Sequence, residues 1–350
     1  MKRSPFLRLG LGAAAIGLLA TAGCTKKSDN ETAAASSGKA ADQVKVALVP
    51  GGAHPYFQPW KTAATEAKTE LKLGDATFNE TSGWDQTKQN DVIKSLAAQG
   101  YNAFGIFGVA PENINSTFED LKRQGFAVGS LASCPAGDVN KADFCLSTDT
   151  GEAAYKATKA AIEAIGGKGN LVHLTGNKVD SNTQRRIAGV DKAVGETAGQ
   201  VKVIQVVTDI DTDLQTAQKA VADLLAAKGT QVNGIVTTAY NPAVAAAEGI
   251  RQSKLPIKLI AIDDDKTILD GIKDGSVSGT VLQNPAGQAL VGSYALLKLS
   301  EGCTMAKPGV VVDSGSFIVT KANVDTYETD RKAKTDELRT AFDGQYLTCK

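Results

Sequence analysis

The residues of this chain that could do chemistry are few and unevenly placed. Histidine occurs twice, as His54 and His173, in no HExxH arrangement, and neither a serine nucleophile elbow nor a P-loop is present. His173 lies inside the apolar run "NLVHL" and reads as a core residue. Asp263, Asp264 and Asp265 gather three carboxylates, but consecutive carboxylates at a strand end do not by themselves form an octahedral cation cage. A zinc site or a His-based triad is poorly served by this inventory. The densest feature is "KVALVPGGAHPYFQPW", residues 45–60, where a strand-like run breaks into a Gly-Gly loop carrying His54, Tyr56, Phe57 and Trp60. Aromatic residues are only 5% of the chain, so three within five positions of one loop point to a binding surface or to a local packing staple.

The elements that must position this loop are legible from hydrophobic pattern. Short apolar runs, "VKVALV", "ATFNE", "NAFGIF", "FAVGS", "GNLVHL", "VKVIQVV", "GIVTT", "KLIAI" and "SGTVL", alternate with Ala-, Lys- and Glu-rich amphipathic stretches such as residues 60–73 and 86–99. That alternation predicts an α/β chain whose parallel strands are joined by helical crossovers and buried on both faces. Ligands of open parallel sheets lie beyond the carboxyl ends of the strands. The His54 loop follows the first strand and so stands at such an edge.

The N-terminus bounds the compartment. Lys2, Arg3 and Arg8 precede "LGLGAAAIGLLATAGC", an apolar run too short for a comfortable membrane span and typed like a secretory signal. It ends in Ala22-Gly23-Cys24, which resembles the bacterial lipoprotein processing box and implies a signal peptide over residues 1–23 with Cys24 lipidated. Residues 24–42 are small and polar and read as a flexible tether. With Cys24 used by lipid, Cys134, Cys145, Cys303 and Cys349 remain, an even number suited to an oxidising compartment. Three pairings are open; the local pairs, Cys134 with Cys145 and Cys303 with Cys349, are preferred. A formal net charge of zero and the lack of a basic stripe argue against nucleic acid as a partner.

Seven segments fall in an order that resembles the ribose-type periplasmic solute-binding proteins of ABC transporters: "HPYF", "NDVIKSLAAQGYNAFGIF", "STDTGEAAYKATKAAIEAIGGKGNLVHLTG", "TQRRIAGV", "YNPAVAAAEGI", "LIAIDDD" and "TVLQNP". The resemblance implies the type I fold, two Rossmann-like lobes joined by a three-segment hinge. Lobe one is expected over 43–149 plus 284–312, and lobe two over 150–283 plus 313–350. A small neutral sugar or polyol is expected between them, where aromatic rings cover the C–H faces and polar side chains capture the hydroxyl rim.

Carried residue by residue, the resemblance implies ligand contacts from His54, Tyr56 and Phe57 in lobe one, and from Asn241, Asp263 and Gln283 at strand ends of lobe two. Gln184 and Arg186 match two arginine positions of the family, and Asp149 stands at the first lobe crossing. Trp60 and Trp84 are expected to pack. Leu131-Ala132-Ser133 stands where the family places an Asp-Arg pair, and Thr212 stands where it places a third aromatic wall, departures that count against ribose itself as the ligand. The expected protein is a monomer that binds without catalysis, needs no cofactor or metal, and delivers its ligand to an ABC permease from an extracytoplasmic, lipid-anchored position. A sensor showing its closed form to a membrane receptor is the alternative, and a secreted hydrolase the more distant one.

Overall fold

The computed structural model describes residues 38–136 and 139–349, so the signal, Cys24 and most of the tether lie outside the described residues. Five strands come first, β1 Lys45–Val49, β2 Asp75–Phe78, β3 Ala103–Ile106, β4 Ala127–Leu131 and β5 Phe144–Ser147. Five more follow, β6 Gly169–Leu174, β7 Val201–Val207, β8 Gly234–Thr237, β9 Lys258–Ile262 and β10 Gly279–Leu282. Four short ones close the chain, β11 Thr304–Met305, β12 Val310–Asp313, β13 Phe317–Val319 and β14 Leu347–Thr348. One sheet has the order β12-β5-β4-β3-β1-β2, with all its pairs parallel. A second has the order β13-β10-β9-β8-β6-β7, parallel except for β13 against β10. These are two doubly wound α/β halves, the type I periplasmic binding protein fold.

The helices are α1 Gln58–Glu70, α2 Gln86–Ala98, α3 Ile114–Arg123, α4 Thr150–Ala164, α5 Ser181–Gly195, α6 Leu214–Lys228, α7 Tyr240–Ser253, α8 Lys266–Asp274, α9 Pro285–Ser300 and α10 Tyr327–Ala341. Several begin at an Asp whose carboxylate accepts a first-turn N–H that has no partner within the helix: Asp85, Asp149, Asp180, Asp213 and Asp265. Val46, Leu48 and Trp60 share one apolar cluster with α9, while Ala47, Val49 and Phe104 face another with α2 and α3. Both faces of β1 are therefore dry, as its unbroken apolar run requires.

The chain passes between the sheets three times: at Thr148–Asp149 after β5, at Gln283–Asn284 after β10, and at residues 314–316 between β12 and β13. The C-terminus departs from expectation. Residues 313–350 were assigned to lobe two, but Leu338, Phe342 and Leu347 join the first sheet's core, where Phe342 meets Phe144 edge-on at 5.5 Å. The reason is apolar burial helped by a tether, since Cys349 is bonded to Cys303 at the end of α9. Cys134 is bonded to Cys145, which ties the loop after β4 back onto β5.

Candidate functional site

The first wall of the site is built on the His54 loop. His54 caps the short turn Pro55–Phe57, its Nδ1 accepting from Tyr56 N at 3.2 Å. Phe57 packs against Tyr56, Trp60 and Phe107 with ring centroids 5.0–5.2 Å apart. Trp60 is fully buried beneath them, in the packing role expected of it. Trp84 departs from expectation: it packs, 6.2 Å from Phe57, but it also lines the cavity and is 40% exposed. A Cβ on Gly51 would lie 2.8 Å from its ring, so the glycine pair lets the indole rest on bare backbone.

The second wall stands at the carboxyl ends of β8, β9 and β10. Asp263 follows β9 in the left-handed region, at φ +64°, which Asp tolerates better than most residues. Its carboxylate is buried and accepts from Gln283 Nε2 at 3.0 Å. Burial pushes this carboxyl up to about 7; the nearby Asp264 and Asp211 charges add to the rise, and Gln283 and Arg186 oppose it. Arg186 lies one helical turn after Asn182 on α5, so both side chains face the same way. Arg186 Nε and Asn182 Oδ1 are buried without a hydrogen-bond partner, a costly condition that a bound ligand would relieve. Tyr240 supplies a ring to this wall and donates its hydroxyl to Asp265 Oδ2 at 2.9 Å.

The walls meet. His54 Nδ1 accepts a hydrogen bond from Tyr56 N, and its Nε2 lies 3.4 Å from Asp211 Oδ1 of the other wall. Asn241 Nδ2 donates to Asp211 O at 3.0 Å and sits 3.3 Å from the same His54 nitrogen. Asn182 Nδ2 reaches across to Ala132 O at 3.3 Å. At the crossings, Tyr56 donates to Gln288 Oε1 at 2.9 Å, and Gln288 Nε2 donates to Thr148 and Ser314. That buried network locks the Tyr56 ring to two of the three connecting segments, and burial holds its phenol well above the usual range. The cavity between the walls measures about 170 Å³, an order of magnitude more than the ~10–15 Å³ one water needs.

Of the residues expected at the site, His54, Tyr56, Phe57, Arg186, Asp263 and Gln283 line this cavity. Asn241 does not; it sits behind His54 with its amide spent on Asp211. Gln184 is exposed on the other side of α5, where Nε2 donates to Lys178 O. Asp149 is also exposed, its carboxylate capping α4 through Glu152 N at 2.9 Å. Trp84, Phe107 and Tyr240 were not anticipated in the lining, although Phe107 and Tyr240 both stand just past strand ends and the edge rule would have found them. Asp263, Asp264 and Asp265 diverge to Gln283, to Arg331 at 2.7 Å and to the cap of α8, so the three carboxylates do not converge on one point. His173 is buried as expected, with its pKa pushed down to about 3 by desolvation and Arg186; Nε2 meets Thr238 Oγ1 at 2.8 Å, but Nδ1 has no partner.

Two α/β halves with a polar and aromatic cavity at the carboxyl ends of their strands are the architecture of a ligand-binding protein. The chain belongs to the periplasmic binding protein family: residues 46–303 match the family model described as a periplasmic binding protein domain. It is 24% identical over 247 residues to a xylitol-binding protein of Mycolicibacterium smegmatis, which covers 69% of this chain and 67% of that one. It is 23% identical over 295 residues to a D-apiose import binding protein of Paraburkholderia graminis, covering 83% and 91%. Its fold is similar to that of an ABC transporter solute-binding protein from Burkholderia graminis crystallised with D-arabinose, with a TM-score of 0.75 at 23% identity over 83% of this chain and 99% of the other.

Proposed function

We propose that this protein captures a small neutral sugar or polyol outside the cytoplasm and delivers it to an ABC importer, without chemical turnover. The observation that carries the reading is the cavity between the two walls, with aromatic rings on one side and an unpartnered Arg186 Nε and Asn182 Oδ1 beside the Asp263–Gln283 pair on the other. Rings cover the C–H faces of a sugar, and fixed carboxylate, amide and guanidinium groups pair with its hydroxyls. A ligand touching both halves stabilises the closed form over the open one, which gives a membrane permease something to read. The family membership and the sugar and polyol named for its relatives support this reading.

The test is a thermal-shift screen over pentoses, hexoses, deoxy sugars and polyols, followed by calorimetry. A ligand at 100 times its dissociation constant adds about 2.7 kcal/mol of stability. A panel in which nothing raises the melting temperature overturns the proposal. We further propose that lipid on Cys24 holds the protein at the cell membrane, supported by the basic start, the apolar run and Ala22-Gly23-Cys24. Cys24→Ser should free it from membranes or block maturation, and unchanged fractionation with membranes would refute the anchor.

A further inference from the structure

Among the contacts that join the two walls, one is made by strained backbone. Ala132 follows β4 at φ +61°, a left-handed conformation that a residue with a Cβ keeps only where its surroundings hold it. The ties run to β5. Ala132 N donates to Leu146 O at 2.9 Å, Ser147 Oγ donates to Ala132 O at 2.9 Å, and Cys134 is bonded to Cys145. Ser130 Oγ, donating to Ser133 O at 2.7 Å, closes the turn from within. Held in this way, Ala132 O accepts from a second donor, Asn182 Nδ2 on α5 of the opposite half, at 3.3 Å. A carbonyl can only accept, so it takes the NH2 end of the Asn182 amide and leaves Oδ1 turned away from it. That oxygen is buried without a partner, and Asn182 lines the cavity.

We infer that the Ala132 carbonyl, clamped to β5 by the Cys134–Cys145 bond, is a positioning group for ligand binding: it orients the Asn182 amide so that Oδ1 accepts a hydrogen bond from the bound sugar or polyol, and it does so only when the two halves are together. The inference rests on the sugar-binding reading and deepens it. With the amide reversed, Oδ1 would face Ala132 O, acceptor against acceptor, so the carbonyl selects one orientation of two. In the selected orientation Oδ1 lacks a donor, a costly state that a ligand hydroxyl relieves. Closure and capture are thereby linked through one side chain. Asn182 meets Ala132 only when the halves meet, and a ligand hydroxyl makes that arrangement the favourable one. Neither cysteine lines the cavity, so the disulfide acts on affinity through the loop it holds.

A double-mutant cycle tests this, read by calorimetry and stopped-flow kinetics with the panel sugar or polyol that gives the wild-type protein its largest thermal shift. Cys134→Ser with Cys145→Ser should weaken binding about tenfold, or ~1.4 kcal/mol. The loss should appear as faster dissociation with the association rate held within about twofold, because the Ala132 contact forms after encounter. In an Asn182→Ala background the same pair of changes should cost no further affinity. A disulfide that served stability alone would lower the melting temperature in both backgrounds and leave both affinities unchanged. That result, or an equal affinity loss in both backgrounds, overturns the inference and leaves the sugar-binding reading standing. If no panel member binds the wild-type protein, that reading falls and takes the inference with it. Should the disulfide-free protein fail to fold, Asn182→Asp keeps an oxygen for the ligand and sets another against Ala132 O. Affinity about tenfold weaker supports the inference, and binding as tight as wild type overturns it.

Discussion

Replacing Asp263 by Asn removes a charge while keeping the shape, so Gln283 can still donate to Oδ1 across the present 3.0 Å. Asn also suits the left-handed backbone at this position. In the folded, ligand-free protein burial pushes the Asp263 carboxyl up to about 7, against about 3.9 in an unfolded chain. Between those values the folded state holds a proton that the unfolded state has released. The group's contribution to stability is therefore complete below about pH 4 and is lost as pH rises through about 7. A separation of roughly three units corresponds to on the order of 4 kcal/mol. Urea unfolding of wild type and Asp263→Asn from pH 4 to pH 8 should show the variant gaining on wild type by that order, with other titrating groups cancelling in the difference. Ligand hydroxyls donating to Asp263 favour its ionised form. Near pH 7, where about half the molecules carry the proton, binding should release roughly half a proton, read by calorimetry in two buffers of different ionisation enthalpy. A pH-independent stability difference between the two proteins would refute the argument that the carboxylate is a desolvated, titrating group.

Three further outcomes follow from the geometry. Arg186→Ala should weaken sugar binding about ten- to a hundredfold through loss of charge-assisted bonds, with little fall in the melting temperature of the ligand-free protein, since Nε has no partner to lose; a variant that binds like wild type would remove Arg186 from the site. Gly189→Ala would put a Cβ 2.1 Å from Gly151 O, forcing α5 away from α4, so thermal unfolding should report a loss of about 1–3 kcal/mol and calorimetry a weaker ligand as Asn182 and Arg186 shift; unchanged melting would show that the helices do not depend on this contact. Asp149→Ala should lower stability by about 1 kcal/mol through loss of the α4 cap, with ligand affinity unaltered, and an affinity loss beyond threefold would return Asp149 to the site.

What this sequence determined alone was whatever depends on neighbours along the chain. Runs such as "VKVALV" and "KLIAI" are strands because their apolar character is continuous, and β1 and β9 lie where those runs fall. The same logic located the His54 loop, since a residue just past a parallel strand must stand at the sheet's carboxyl edge, while Asp263 came from the resemblance. Resemblance to a family added the two-lobed arrangement but blurred α5, where Gln184 and Arg186 were both carried over. Two residues of helix turn a side chain by about 200°, so only one of them can face the cleft, and burial chose Arg186. Phe107 and Tyr240 are placed by the same edge rule, but only the tertiary structure brings Trp84 beside them, because that depends on how the carboxyl ends of two sheets face one another. It likewise returned the C-terminal Phe342 to Phe144 in the first half. It also divided the polar atoms between the walls: whether Ala132 O or the Tyr56 hydroxyl is free for a ligand depends on Asn182 and Gln288, partners distant in the chain and adjacent only once it is folded.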